Sequence, residues 1–462
     1  MICIFSKKLS ILVWIFYIYS MYISRNIDFD LLEWKKSDNR KPLLLRGARQ
    51  VGKTSAVKNL SKHFHYFVEI NFDEHQSFKF IFEKDYSPRE ICEQLSVLTN
   101  TPIIPGETLL FLDEIQACLP ALGRLRYFYE KMPDLHLVAA GSLLEFALAE
   151  LPSFGVGRVR SLFMYPLSFS EFLAAIGENL LVKSIEQASF VKALPDAIHK
   201  KLLSYYKKFL MIGGMPEVLS AYVAGASLLD VQRILNDLLI SVQADFAKYK
   251  SRVPASRLIE VFSSVAQQTG NKFNYSYPNT SLDNRQIKEA LDLLQMAGLI
   301  YRVTHSSSNG IPLGAEINPK KTKYLIFDTG IFQRIMGLNL SDLLLSDDFD
   351  SINKGNIAEL HVGLELIKSE SPYQNHPLFY WQREEKNSQA EVDFVEQFGD
   401  AIIPIEVKSG KKGSMQSLYI FLKEKNLPFG IRISIENFAE MDHVKILPIF
   451  AVHRLKKTSL IQ

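Results

Sequence analysis

The chain is predicted to be an α/β protein: a parallel sheet with helices on both faces comes first, a helical segment and a small helix-and-hairpin unit follow, and a second α/β domain ends it. Three observations predict this order. Between about residues 27 and 165, short apolar runs alternate with helical stretches, as parallel strands joined by crossover helices require. From about 166 to 250 the apolar period becomes helical. After about 320, strands dominate again.

In the first block, Pro42–Arg46, Tyr66–Asn71, Thr108–Leu112 and Leu135–Ala140 are the expected buried strands. In the second, Asp196–Met211 and Leu228–Tyr249 are expected helices, separated by a break at Gly213-Gly214-Met215-Pro216. Leu258–Gln268 and Asp283–Ala297 are two further helices, the latter stopped by Gly298. The strand Leu299–Thr304, a polar turn from Ser306 to Gly310 and a returning strand complete a winged-helix-like middle. The helix Asn356–Ser369 interrupts the final strands. The expected domains are therefore 25–165, 166–250, 251–318 and 319–462, after an apolar extension over 1–24.

Composition fits this organisation. At 462 residues, with 47% hydrophobic and 22% charged side chains, the chain has the balance of a folded protein and length for about three ordinary domains. A net charge of only +3 gives no general attraction for nucleic acid, so a basic surface must be local. Cys3, Cys92 and Cys118 are far apart and lack CxxC spacing, which excludes a disulfide framework and a cysteine zinc site and fits a reducing cytoplasm. The apolar run Ile11–Ile23 behind Lys7 and Lys8 is shorter than the roughly 20 residues that cross a bilayer. It reads as a segment upstream of a true start at Met21, as a weak membrane anchor, or as a signal-like start without a cleavage site. A membrane partner is not expected.

The segment Gly47-Ala48-Arg49-Gln50-Val51-Gly52-Lys53-Thr54 matches GxxxxGK[ST], with an apolar strand before it and a helix-compatible stretch from Ser55 after it. Such a loop wraps backbone amides around phosphates at a helix N-terminus. Lys53 would reach the β- and γ-phosphates, and the Thr54 hydroxyl would bind Mg²⁺. The apolar strand ending in Asp113-Glu114 supplies the second half: Asp113 for the Mg²⁺ shell and Glu114 to polarise the attacking water. Ser142, after the strand Leu135–Ala140, is either a contact to the γ-phosphate or a strand-to-helix cap. Arg158 and Arg160 are either stabilisers of the transferred phosphoryl group, in cis or from a second chain of a homo-oligomer, or solvated loop arginines. ATP and Mg²⁺ are the expected ligands.

The stretch from Met21 through Lys53, the LDEIQ at Leu112–Gln116, and the run from Gly157-Arg158 to Pro166-Leu167-Ser168-Phe169 resemble the AAA-family ATPases of bacteria and archaea that carry a C-terminal domain of unknown function. That resemblance implies a P-loop NTPase core with a helical lid over 166–250, and it favours a start at Met21.

In the last block, Glu391–Val395 alternates polar and apolar residues, a turn follows at Phe398-Gly399-Asp400, and Glu406 and Lys408 share a face of the next strand. A hairpin would bring Asp393 beside Glu406 and Lys408, and Glu359 on the preceding helix would add a third carboxylate. Carboxylates around one point suit Mg²⁺. The bland alternative is an ordinary solvated pair on a hairpin face. The pattern resembles the PD-(D/E)XK nucleases, with Asp393 as the first motif acid, Glu406-Val407-Lys408 as (D/E)XK and Glu359 as the helical glutamate, although no proline precedes Asp393. The resemblance implies a restriction-endonuclease-like α/β fold, with metal held by Glu359, Asp393 and Glu406 and catalysis shared with Lys408.

Arg285 and Lys288 on the helix Asp283–Ala297 would contact DNA phosphates, but Asp283, Glu289 and Asp292 leave the helix near neutral, so a protein-binding winged helix stays open. The resulting expectation is an ATPase whose cycle gates a DNA-directed C-terminal domain. An ATP-controlled binding switch without cleavage is the alternative.

Overall fold

The structure, a computed structural model, describes residues 22–151, 155, 157–249, 253–277, 282–338, 355–385, 390–410 and 413–456. The expected apolar extension and Cys3 therefore lie outside the described residues, apart from the extension's last three positions. Among the described residues no helix is long and apolar enough to cross a membrane. Two compact units are present. The first reaches to Tyr165 and takes in Met296–Gly298 and Ser371–Asn375; the second comprises Pro166–Gln295, Leu299–Glu370 and His376–Gln462.

The first unit is built on five strands: β1 Leu43–Arg46, β2 Tyr66–Asn71, β3 Thr108–Asp113, β4 His136–Ala140 and β5 Arg160–Phe163. All pairings are parallel, in the order β2-β3-β4-β1-β5. Every residue of β3 and β4 is buried, because parallel strands are covered on both faces. Leu109, Leu110, Phe111 and Leu112 are each fully buried, worth about 1.5–3 kcal/mol apiece. The four strands expected from sequence are all present, each within a residue of its expected ends. β5 is not among them; as an edge strand it begins with two polar residues and leaves Arg160, Ser161 and Phe163 partly exposed.

Register decides where the sheet can do chemistry. Leu45 pairs with Ala140, and Leu112 with Ala139, so the carboxyl ends of β1, β4 and β3 are level. Ligands bind at such ends in open α/β sheets.

The second unit carries an eight-stranded sheet. Its strands are β6 Ile300–Ser306, β7 Ile317–Ile326, β8 Leu378–Gln382, β9 Glu391–Phe398, β10 Ala401–Val407, β11 Gly430–Ser434, β12 Ala439–Met441 and β13 Val444–Pro448. Their order is β12-β13-β11-β10-β9-β8-β6-β7. This corrects the expectation of a separate wing ending at residue 318. β7 runs through that boundary, and β6 pairs in parallel with β8, so the hairpin is an edge of the C-terminal sheet. Two residues of its polar turn, Ser306 and Ser308, are buried, and the Ser306 hydroxyl donates to the Leu313 carbonyl at 2.8 Å, while Asn309 and Gly310 are exposed. Lys425 donates to Asn309 at 2.6 Å, tying the turn to helix Gln416–Lys425.

The segment 166–250 belongs to this same unit, joined to it by buried polar groups. Glu365 on helix Gly355–Lys368 accepts from the Phe169 amide, and Lys368 donates to the Leu167 carbonyl at 3.0 Å. The expected break at Gly213-Gly214 is real. Gly213 has φ 73°, and a Cβ on it would lie 2.3 Å from the Asp328 carboxylate. That carboxylate accepts from the amides of Gly214 (2.7 Å) and Ile331 (3.0 Å). Asp328→Ala strands two buried donors, so it is expected to destabilise this unit by about 2–4 kcal/mol, read as a lower urea midpoint of its unfolding transition.

Candidate functional site

Beyond Arg46 the chain turns through Gly47–Gly52 into helix Lys53–Ser61. The turn uses backbone conformations that few residues accept: φ is 143° at Gly47, 63° at Gln50 and 97° at Gly52. A Cβ on Gly47 would lie 2.1 Å from the Met164 carbonyl oxygen, so no other residue fits there without moving backbone. Ala48 and Val51 are buried under the turn, Arg49 is half-buried, and Gln50 and Ser55 are exposed. Arg25 braces the turn, donating to the carbonyls of Val51 (3.1 Å) and Tyr165 (2.7 Å). Nothing in the loop motif marks Arg25 for this role.

Lys53 is 8% exposed, and its ammonium donates to the carbonyls of Gly47 (2.9 Å) and Ala48 (2.8 Å). Burial brings its pKa down to about 8, against the pull of Glu114 and Asp113. The Thr54 hydroxyl donates to Asp113 Oδ2 at 2.8 Å, and the Glu114 amide donates to Asp113 Oδ1 at 3.0 Å. Burial pushes the Asp113 carboxyl up, while those two hydrogen bonds pull it down. Glu114 has a left-handed backbone (φ 47°), and its Oε2 accepts from Gln116 Nε2 at 2.5 Å and from the Ser142 hydroxyl at 3.4 Å. β4 lies between β1 and β3, which is why its terminus brings Ser142 to the same place. Gln116 reaches this point because Gly141 has no side chain: a Cβ there would lie 2.0 Å from Gln116 Oε1. The LDEIQ run ends in Gln116, but its residue types alone give that side chain no role.

The two arginines are a correction. Arg160 pairs with Leu43 at the start of β5, whereas the phosphate loop follows Arg46, about 3.3 Å per residue further along. Its guanidinium lies over the Tyr373 ring, and Arg158 pairs with Glu130. Neither belongs to the nucleotide site of its own chain, because both enter β5 from the end of the sheet opposite the loop.

The donor set otherwise fits a nucleoside triphosphate with Mg²⁺: a loop held in left-handed backbone at Gln50 and Gly52, a helix N-terminus, one buried ammonium, and a hydroxyl in contact with a carboxylate. Triphosphate favours charged Lys53, and the free protein loses that charge above about pH 8. ATP affinity is therefore expected to fall as pH rises through 8, by up to about tenfold per unit. Titrations between about pH 7 and 9.5 check this, and Lys53→Arg should flatten the dependence.

The second constellation lies on the β9–β10 hairpin. Ile405 pairs with Phe394, so the next position of each strand sets Glu406 against Asp393. Asp393 Oδ2 accepts from the Val407 amide at 2.7 Å. Glu406 is 5% exposed; its Oε1 accepts from Lys408 at 2.6 Å, and its buried Oε2 has no hydrogen-bond partner. Burial, reinforced by Asp393, pushes the Glu406 carboxyl up, and burial does the same to Asp393.

Glu359 points into the same cluster from helix Gly355–Lys368, but its Oε1 accepts from Lys323 at 2.9 Å. Lys323, on β7, also pairs with Glu391 at 2.6 Å and is 0% exposed. Burial works against this ammonium, yet Glu359, Glu391 and Asp393 outweigh it and hold its pKa above the ordinary lysine value. Burial is also the main cause pushing Glu359 up. The expected metal trio Glu359, Asp393 and Glu406 is therefore not assembled, because a lysine stands among the acids. Among the described residues, the trio whose ligand atoms lie within 4.8 Å of one another is Glu370, His376 and Glu396, where Lys456 already contacts both glutamates. Asp393 and Glu406 fit a divalent ion, on the evidence of the unpartnered buried Glu406 oxygen; Glu359 does not. Lys323 escaped sequence reading because Lys320, Lys321 and Lys323 look alike until the sheet decides which one faces inward.

Residues 39–173 match the family model of an AAA domain, and most of them lie in the first unit, on its parallel five-stranded α/β sheet. Residues 203–342 match a domain of unknown function (DUF8612), and residues 354–451 match another (DUF4143). No curated protein matches the chain. Among solved structures, the chain is similar to the Walker-type ATPase of Pyrococcus abyssi, at 15% identity and a TM-score of 0.44 over 68% of this chain and 96% of that one. It is also similar to the Aeropyrum pernix ORC1 protein in complex with DNA, at 12% identity and a TM-score of 0.28 over 69% and 94%.

Proposed function

We propose that the chain hydrolyses ATP at the Gly47–Thr54 loop and uses the cycle to control a DNA-directed C-terminal domain. The observation that carries the ATPase reading is the contact between Thr54 and Asp113 beside the buried Lys53, with Glu114 next in line. The loop amides and Lys53 bind and orient the phosphates. Thr54 and Asp113 would hold Mg²⁺, which offsets charge on the β- and γ-phosphates when bound. Glu114 accepts the proton of the attacking water, and Gln116 and Ser142 hold its carboxylate in place. Lys53→Ala is expected to abolish turnover. Glu114→Gln should bind ATP with near-normal affinity and hydrolyse it about 10²-fold more slowly or worse, as nucleotide binding and steady-state phosphate release would report.

For the C-terminal domain, the reading is a nuclease-like site of Asp393, Glu406 and Lys408. The unpartnered Glu406 oxygen supports a divalent ion there, and Lys408 would offset charge building on a phosphate. Arg285 and Lys288 are both exposed on helix Asn284–Met296, where they can meet phosphates. A second reading, binding without cleavage, is favoured by the lysine that holds Glu359. The two separate on incubation with Mg²⁺ and linear, supercoiled and branched DNA. Cleavage lost in Asp393→Ala and Lys408→Ala is the outcome expected of a nuclease; intact DNA of every form leaves the binding switch. A cytoplasmic setting fits the free, buried Cys92 and Cys118.

A further inference from the structure

Among the described lysines and arginines of the second unit, Lys323 is the one that solvent does not reach at all. Its ammonium contacts Glu359 at 2.9 Å and Glu391 at 2.6 Å, and it lies 5.0 Å from the centre of the Tyr380 ring. Burying a lone ammonium costs several kcal/mol, so such a group persists only where fixed anions offset that cost. Here the anions come from two elements, helix Gly355–Lys368 and β9, and both reach the same point. The cluster as a whole holds Glu359, Glu391, Asp393 and Glu406 against Lys323 and Lys408. Its positive charge is unevenly placed. Lys323 serves one end, and the other end keeps the unpartnered Glu406 Oε2.

We propose that Lys323 is the resident cation of this cluster, holding Glu359 and Glu391 so that neither acts as a metal ligand. A divalent ion prefers oxygens gathered at about 2.0–2.6 Å around it, and an ammonium already bonded to Glu359 keeps that oxygen away by charge and by position. On the nuclease-like reading given above, any metal is left to Asp393 and Glu406. Lys323 is then a positioning residue: it decides which carboxylates are available without touching substrate.

The test uses the full chain carrying Asp113→Ala, which silences the nucleotide site, and Mn²⁺ as the probe in calorimetric titrations. Glu359→Gln is expected to leave Mn²⁺ affinity within about twofold of the parent, whereas Asp393→Asn, which removes a charged ligand, is expected to lower it about tenfold or more. Lys323→Met, which frees both glutamates, is expected to raise affinity about tenfold or to create a site where the parent shows none. If Lys323→Met does not fold alone, Lys323→Met with Glu391→Gln leaves Glu359 as the single freed carboxylate and carries the same expectation. A Glu359→Gln loss as large as that of Asp393→Asn overturns the proposal, as does a folded Lys323→Met protein with no gain. Asp393→Asn without effect, beside a gain in Lys323→Met, sinks the Asp393/Glu406 metal site and leaves the role of Lys323 standing.

Discussion

The hydrogen-bonded register of three parallel strands is the constraint on which the nucleotide site depends. β1, β4 and β3 end level with one another, and each ends in a different polar group: the phosphate loop, Ser142, and the Asp113-Glu114 pair. A slip of one residue in any pairing would turn the strand's side chains to the opposite face and move its terminus by about 3.3 Å. The contact between Thr54 and Asp113 would not survive that. Full burial of β3 and β4 makes such a slip costly, so the apolar core acts as the jig for the polar site.

Polar precision inside the second unit comes from a different source. Buried carboxylates reach across sequence to cap backbone amides, as Asp328 does for Gly214 and Glu365 for Phe169. Each such group is costly to bury and becomes tolerable only when every partner is in place. This binds the segment after Pro166 to the C-terminal strands and makes one unit of what the chain's periodicity divides into three. The cluster around Lys323 follows the same rule with full charges instead of amides.

Much of the nucleotide site was legible in the residues. The loop motif, the strand before it and the acidic strand end are local patterns whose geometry follows from backbone preference: glycine where φ is positive, a buried apolar run, a helix N-terminus. Arg25 and Gln116 were not legible, because their contacts, with the Val51 carbonyl and with Glu114, depend on the close approach of segments and on the missing side chain of Gly141. Arg158 and Arg160 were misplaced for a related reason. Proximity in sequence to a strand says nothing about which end of the sheet a residue occupies, and the pairing of Arg160 with Leu43 decided it.

By itself the sequence determined that this chain has a phosphate loop, an acidic strand end to face it, and an Asp393/Glu406/Lys408 hairpin, because each of these is written in residue type and short spacing. Tertiary structure alone decided that the middle hairpin is an edge of the C-terminal sheet, that the arginines lie at the wrong end of β5, and that Lys323 stands among the carboxylates. The physical reason is range. Backbone conformation and period act over a few residues, whereas ion pairs and strand neighbours are settled by burial, which has no address in the linear chain.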